Sequence, residues 1–102
     1  MFDEVKGEGI SNMNFEYQIS NIFLEELQEC PDKAERCAVG QGNYVYIVEC
    51  TSKKYVFRCS EEKNAYKDTL YWLERLADID IPVPRVIAKG AFEKYEYIIL
   101  TY

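Results

Sequence analysis

Histidine is absent from the 102-residue sequence. The chain therefore has no imidazole base of its own, which excludes a self-contained Ser–His or Cys–His catalytic pair and a mixed cysteine–histidine metal site. No apolar run approaches the roughly 20 residues of a membrane-spanning helix. The first residues, MFDEVKGEGISN, lack the basic segment followed by an apolar segment that marks a secretory signal. The lack of a membrane span and of a secretory signal predicts a cytoplasmic protein with no membrane partner.

Positive charge is also scarce, because 12 Lys and Arg face 18 Asp and Glu, for a net charge of −6. Non-specific binding to nucleic acids requires clustered cations, so no nucleic-acid partner is expected. Apolar residues make up 48% of the chain and aromatic residues 15%, which is enough for one small core. The length predicts a single domain over residues 1–102.

The four cysteines show no pairing pattern. They are Cys30, Cys37, Cys50 and Cys59, and no two of them form a C-x-x-C motif. Cys50 and Cys59 fall at opposite ends of a predicted hairpin, separated by several strand residues at about 3.3 Å each, which is too far for a disulfide. We therefore expect buried, reduced thiols and no metal site.

Two stretches have the three- and four-residue apolar spacing of a helix. After a loose start over residues 1–13, a leading helix is predicted over residues 14–30, with Asn14 as its N-cap and Pro31 at its end. Its apolar positions are Phe15, Ile19, Ile22, Phe23 and Leu27. A longer helix is predicted from Ser60 to the IPVP segment. Its apolar stripe consists of Tyr66, Leu70, Leu73, Leu76 and Ala77.

Five short runs of β-branched and aromatic residues predict strands. They are RCAV, YVYIVEC, KYVFRCS, RVIAKG and YEYIILTY, and the PDKAER segment before the first is expected to be a connector. The polar TSKK turn joins the second and third runs, which predicts a hairpin. The order of the elements predicts the α+β class, with a five-stranded antiparallel sheet, a long helix after strand three and an extra N-terminal helix.

A glycine pair and a strand cation are the candidate functional features. Gly40 and Gly42 would let backbone N–H groups approach a phosphate, although two glycines more often form a plain turn. Val56 and Arg58 lie two residues apart on a strand and so share a face, which offers an apolar contact for a flat base beside a charge for phosphates. Alternatively, Arg58 reaches solvent or pairs with a helix carboxylate.

Taken in order, these segments resemble the N-terminal lobe of the aminoglycoside phosphotransferase family, which has a protein-kinase-like fold. GQGNYVYIV resembles the family's glycine loop and second strand, and YVFR resembles its third strand with a cation. YWLERLADIDIPVPRVIAKG resembles the following helix, PVP turn and fourth strand, and YEYIILTY resembles the strand that leads into the hinge. The resemblance covers residues 36–102, so this range is expected to form the core of the lobe.

The resemblance implies a nucleotide site that uses ATP or GTP with Mg²⁺. Gly40 and Gly42 would form its phosphate loop. Val45 and Val56 would pack against the base, and Arg58 would be the cation that binds the phosphates. Leu100, Thr101 and Tyr102 would run into the hinge. No nucleotide is expected to bind tightly to this chain by itself. A slip of one residue in the strand register would turn Tyr46, rather than Val45, toward the ligand.

Two features of the family bear on activity. A helix glutamate anchors the third-strand cation, and here Asp68 lies one position from the expected place while Glu62 lies about two turns earlier. The family's catalytic base, an Asp in a His-x-Asp loop, and its Mg²⁺ ligand lie in the C-terminal lobe. This chain has no histidine, so the catalytic lobe is expected to be absent and the chain is not expected to be active alone.

Three functions remain open. The first is a truncated domain, the nucleotide-binding N-lobe of a small-molecule phosphotransferase, which would transfer a γ-phosphate to an acceptor hydroxyl only with its missing C-terminal lobe. The second is a stand-alone, non-catalytic interaction module of the same fold. The third is an unrelated α+β binding domain whose glycines form a turn. Self-association is also expected, because residues 97–102 form an apolar, terminal strand that could pair with another copy.

Overall fold

The computed structural model describes residues 15–37, 43–51 and 53–102. These residues form two helices and five strands in the predicted order. The helices are α1 (Glu16–Leu27) and α2 (Lys67–Asp78). The strands are β1 (Lys33–Cys37), β2 (Asn43–Cys50), β3 (Lys53–Ser60), β4 (Val86–Phe92) and β5 (Tyr95–Thr101). The predicted N-cap Asn14 lies outside the described residues.

The strands form one antiparallel sheet in the order β1-β2-β3-β5-β4. The predicted α+β class, with its five-stranded antiparallel sheet, is confirmed. β5 pairs with β3 on one side and with β4 on the other. The expectation that residues 97–102 form a free edge is therefore wrong, because the backbone groups of this strand are already used within the sheet.

Helix α1 covers one face of the sheet. Phe23 of α1 is fully buried, and its ring centroid lies 6.4 Å from that of Phe57 on β3. Phe15, which directly precedes α1, packs edge-on against Tyr95 with centroids 4.9 Å apart. Fully burying one such apolar side chain contributes roughly 1.5–3 kcal/mol, so these contacts make the α1 face the main core.

Helix α2 covers the opposite face less completely. Tyr66, Ile98 and Leu100 are buried there, and the α2 residues Leu70 and Leu73 are only half-buried against them. Side chains alternate along a strand, so residues between the core positions of β3 and β5 point to this second face. The apolar layer under α2 is thin, and a cleft opens beside it.

The leading helix runs over Glu16–Leu27 and is shorter than the predicted range 14–30. It ends where Gln28 adopts a left-handed conformation with φ 55°, and the Gln28 N–H donates to the carbonyl of Leu24 at 3.1 Å. The stop therefore comes before Pro31, whose ring is not needed to end the helix. The predicted apolar face is confirmed at its buried positions Phe15, Ile19, Ile22 and Phe23.

Two other boundaries differ from the prediction. The expected connector PDKAER contains the first four residues of β1, because charged side chains on an exposed strand hide its β pattern. Helix α2 begins at Lys67 and not at Ser60. Ser60 ends β3, and its Oγ accepts the N–H of Glu62 at 3.2 Å, which forms a turn instead of a helix start.

All four cysteines are free thiols. Cys50 and Cys59 are buried near opposite ends of the β2–β3 hairpin, as predicted. Cys30 is exposed and Cys37 is partly exposed. The expectation of burial is therefore wrong for these two, which lie on the loop after α1 and at the end of the charged strand β1.

Candidate functional site

A cleft of about 530 Å³ opens on the α2 face of the sheet, where β3 ends and β2 begins. β3 contributes Arg58 and Ser60, and β2 contributes its first residue, Asn43. The loop from β3 to α2 contributes the other lining residues of the cleft, which are Glu61, Glu62, Ala65 and Tyr66. The cleft therefore combines a cation, two carboxylates and an aromatic ring.

Arg58 is brought to the cleft by the alternation of β3. It lies directly opposite Val45 on β2 and Ile98 on β5. Its guanidinium lies over the ring of Tyr66, with Cζ 5.3 Å from the ring centroid. Its Nε is buried and has no hydrogen-bond partner among the described residues. An unsatisfied buried donor costs free energy unless a ligand accepts from it, which marks Arg58 as a candidate ligand-binding residue.

Tyr66 contacts Arg58 from the α2 side and is only 5% exposed. Its hydroxyl donates to Oδ1 of Asn43 at 3.2 Å, so one side chain bridges the cation and the start of β2. Burial raises the pKa of Tyr66, while the positive charge of Arg58 opposes that rise. The net shift is upward, so the phenol remains a neutral hydrogen-bond donor at neutral pH.

The two predicted anchoring carboxylates differ in position. Glu62 lines the cleft with Arg58, whereas Asp68 lies exposed in the first turn of α2 and is not among the lining residues. Over the described ranges no ion pair joins Arg58 to a carboxylate, and Glu61 pairs with Lys94 at 3.5 Å. Among the described residues, Arg58 is therefore in contact with the ring of Tyr66 and is not paired with a carboxylate.

The sheet register decides which β2 residue shares the face of Arg58. Val45 lies directly opposite Arg58, and Val56 lies two residues before Arg58 on the same face of β3. Tyr46 is 2% exposed and belongs to the α1 core on the other face. The alternative register, with Tyr46 toward the cleft, does not occur.

None of the three predicted hinge residues lines the cleft, and Leu100 is buried in the cluster under α2. Thr101 donates its N–H to the carbonyl of Arg85 at 2.9 Å and accepts the Arg85 N–H on Oγ1 at 2.8 Å. Tyr102 is exposed, with Nζ of Lys54 5.3 Å from its ring centroid. Both residues line a separate cavity of about 560 Å³, which Arg58 does not line. The N–H and hydroxyl of Thr101 are thus already used within the fold.

The remaining predicted residues are Gly40 and Gly42, which lie outside the described residues. Their role in a phosphate loop stays a prediction. Five lining residues are absent from the predicted site, namely Asn43, Ser60, Glu61, Ala65 and Tyr66. Asn43 directly follows Gly42, and that adjacency is the one signal that could have found it. Spacing assigns Tyr66 to a helix stripe and gives no hint of a contact with the cation.

The donor set of the cleft suits an anion. A guanidinium presents several N–H donors in a planar fork that matches carboxylate and phosphate oxygens. Within residues 15–37, 43–51 and 53–102, no group of three or more acidic or thiol side chains could hold a metal ion. Over the same ranges, neither helix is long and apolar enough to cross a membrane.

Comparison with known sequences gives one informative relative. No family model matches the chain. An uncharacterized protein encoded in the region 3′ of ileS in Staphylococcus aureus is 29% identical over 91 residues. That match covers 87% of this chain and 65% of the relative, so the chain spans about two thirds of the relative's length.

Comparison with solved structures identifies the fold. Aminoglycoside phosphotransferase APH(4)-Ia, in a ternary complex with AMP-PNP and hygromycin B, matches with a TM-score of 0.67 and 17% identity over 83% of this chain. A protein described as a fructosamine-3-kinase from Haemophilus somnus matches with a TM-score of 0.69 and 18% identity over 87% of this chain. This chain spans 29% of the first structure and 34% of the second. It has the fold of a kinase-like N-terminal lobe, as the resemblance implies.

Proposed function

We propose that this chain is the nucleotide-binding N-lobe of a small-molecule phosphotransferase similar to the aminoglycoside phosphotransferases. In the complete enzyme it would bind ATP or GTP with Mg²⁺ and help to present the γ-phosphate to an acceptor hydroxyl. The observation that carries the proposal is Arg58, a cation that lines a cleft of this fold and whose buried Nε has no hydrogen-bond partner among the described residues. The sequence predicts a cytoplasmic location, and ATP and GTP are available there.

The cleft and the sheet face beside it together offer contacts that a nucleotide needs, although Val45 and Val56 do not line the cleft itself. A phosphate oxygen would accept from Nε of Arg58 and would balance its charge. Val45 and Val56, on the same face of the sheet, supply an apolar surface on which a base could pack. The APH(4)-Ia structure contains the ATP analogue AMP-PNP, which supports a nucleotide as the ligand of this lobe. The predicted loop residues Gly40 and Gly42 would cover the phosphates.

The catalytic groups are proposed to lie in a C-terminal lobe. Phosphoryl transfer depends on positioning the nucleotide, metal and acceptor together. This chain spans 29% and 34% of the two phosphotransferase-fold structures, so the acceptor site, the catalytic base and the Mg²⁺ ligands are expected in the remaining part of such an enzyme. The residues of this lobe would hold the nucleotide, and Mg²⁺ would supply charge neutralisation on the phosphates.

Arg58→Ala in the full-length protein tests the proposal. We expect the Kd for Mg-ATP or Mg-GTP to rise about tenfold to a hundredfold, because a hydrogen bond from a charged group contributes about 1.5–3 kcal/mol. Arg58→Lys should retain part of the affinity, because it keeps the charge and loses the planar fork. Isothermal titration calorimetry measures the binding constants.

Arg75→Ala is the matched control for this experiment. The guanidinium of Arg75 also lies over a tyrosine ring, with Cζ 5.2 Å from the centroid of Tyr71, but the pair is on the surface of α2 and Arg75 does not line the cleft. We expect Arg75→Ala to bind nucleotide as the wild-type protein does. Wild-type affinity in Arg58→Ala would overturn the proposal.

A non-catalytic interaction module of the same fold is the second candidate function. It is favoured by an apolar groove of about 970 Å³ between α2 and the segment that leads into β4. Tyr71, Ile81 and Val86 line this groove and are 51%, 43% and 36% exposed. Exposed apolar patches often mark interaction sites. Calorimetry on the wild-type full-length protein separates the two functions, since a pure interaction module would bind neither nucleotide.

A further inference from the structure

Among the described residues, Arg58 has no carboxylate partner of the kind that a partly buried cation usually has. Over the described ranges it forms no ion pair, and its Cζ lies 5.3 Å from the ring centroid of Tyr66. The negative face of an aromatic ring attracts a cation, and the attraction strengthens where water is excluded. Tyr66 is buried, so its ring presents a dry surface to the guanidinium.

Tyr66 is itself fixed from two directions. Its ring packs with Ile98 and Leu100 in the buried cluster under α2. Its hydroxyl donates to Oδ1 of Asn43, at the first position of β2. The residue also directly precedes α2, and its carbonyl accepts the N–H of Leu70 at 2.9 Å. The ring cannot turn away from Arg58 without losing its packing against Ile98 and Leu100 and its hydrogen bond to Asn43.

We infer that Tyr66 is the positioning residue for the phosphate cation: its ring holds the Arg58 guanidinium in the cleft without neutralising it, so that the charge remains available to an anionic phosphate group. This inference rests on the proposed function, because it takes a nucleotide phosphate as the ligand of Arg58. It differs from the carboxylate anchor that the sequence resemblance implies, for which Glu62 and Asp68 are the candidates.

The difference between a ring and a carboxylate is chemical. A carboxylate accepts hydrogen bonds from a guanidinium and cancels its charge, whereas a ring face leaves the donors free for a ligand. Glu62 lines the same cleft, and its backbone N–H is held by Oγ of Ser60. If the ring were removed, Arg58 would be free to pair with Glu62, and its charge would be withdrawn from the phosphate.

Substitutions that keep the shape of residue 66 test the electrostatic role. Tyr66→Phe keeps the ring and loses the hydrogen bond to Asn43, so the Kd of the full-length protein for Mg-ATP should stay within about threefold of wild type. Pentafluorophenylalanine at position 66 keeps the ring size but reverses the charge of the ring face. We expect it to raise the Kd about tenfold relative to Tyr66→Phe. A merely structural role for the ring would not produce this difference.

Tyr66→Leu provides a second route to the same conclusion. We expect a Kd for Mg-ATP at least about tenfold above wild type, with partial recovery in the double variant Tyr66→Leu with Glu62→Gln, which removes the competing carboxylate. Leu70→Ala is the control, because it weakens the same buried cluster without removing the ring. Urea denaturation of every variant shows whether it is folded at the temperature of the binding assay.

The possible outcomes separate the inference from the function. Normal binding in the pentafluorophenylalanine variant, together with weak binding in Arg58→Ala, would overturn the inference and leave the proposed function standing. Normal binding in Arg58→Ala would overturn both. A loss of affinity in Leu70→Ala as large as that in Tyr66→Leu would also overturn the inference, since it would show that only the packing of the cluster matters.

Discussion

At the scale of single residues, Gly90 is required for space. A Cβ at this position would lie 2.7 Å from the hydroxyl oxygen of Tyr97 and 2.9 Å from its Cζ and Cε2. Tyr97 cannot easily yield, because it is buried, stacks on Phe57 with centroids 5.7 Å apart, and donates to Oε2 of Glu26 at 2.7 Å. We expect Gly90→Ala to lower the free energy of unfolding by about 1–3 kcal/mol, as measured by urea denaturation.

Two further variants check this explanation. Lys89→Ala, at an exposed neighbouring position on β4, should change the free energy of unfolding by less than about 0.5 kcal/mol. Combining Gly90→Ala with Tyr97→Leu should cost less than the sum of the two single changes, because the second removes the atoms with which the new Cβ collides. Wild-type stability of Gly90→Ala would contradict the steric argument.

The candidate site shows which residue contacts can be predicted from sequence. Val56 and Arg58 share a face, as predicted, because the side-chain period of a strand is two. The choice between Val45 and Tyr46 depends on how β2 is aligned with β3, and a one-residue slip reverses it. The contact of Arg58 with Tyr66 forms through the loop between β3 and α2, whose conformation no periodic pattern encodes.

At the scale of secondary-structure elements, the two helices are docked unequally. Ile19, Ile22 and Phe23 of α1 are buried, whereas none of the 12 described residues of α2 is. Burying an apolar side chain fully contributes roughly 1.5–3 kcal/mol, so the difference in docking free energy is several such contributions. Segments with few buried contacts open before the whole domain unfolds. We therefore expect α2 to open locally while α1 and the sheet remain folded.

Native-state hydrogen exchange measures this difference. The amides of α2 should exchange at least about tenfold faster than those of α1. The amides of β3 and β5 provide the internal reference, because both strands are paired on two sides and should exchange only on global unfolding. Equal protection of the two helices would contradict the expectation.

Element boundaries were harder to predict than the elements. The spacing of Phe15, Ile19 and Phe23 indicates α1 because only one helical face is apolar. β1 is hidden because it carries charges at Lys33 and Glu35, which suit an edge strand and obscure its alternation. The start of α2 is misplaced because Ser60, a good helix cap by residue type, is used to end β3.

At the scale of the whole molecule, the topology places its most apolar strand inside the sheet. β5 has four consecutive buried residues, Tyr97 to Leu100, and lies between β3 and β4. Sequence position suggests an edge for this segment, but β4 takes the edge and β5 returns between it and β3. Within the described sheet the edge strands are β1 and β4, so self-association by pairing with this sheet would use one of them.

The core of the molecule also contains thiol and phenol groups whose pKa is higher in the folded chain than in the unfolded chain. Burial raises the pKa of Cys50 to about 11 and that of Cys59 to about 12, from an ordinary value of 9.0. Burial likewise raises the pKa of buried tyrosines above their ordinary value of 10.0. These tyrosines are Tyr46, Tyr55, Tyr66, Tyr95 and Tyr97. Above about pH 9 the folded chain binds protons that the unfolded chain has released.

We therefore expect the stability that these groups contribute to be present below about pH 9 and to be lost as the pH rises toward about 12. In this range the unfolded state binds fewer protons than the folded state, so the free energy of unfolding must fall with pH. Urea unfolding under reducing conditions, repeated from about pH 7 to about pH 11, measures the slope. Cys59→Ala should make the slope shallower, whereas Cys30→Ala, at an exposed thiol, should leave it unchanged. Equal slopes for wild type and Cys59→Ala would show that the buried thiol does not carry the effect.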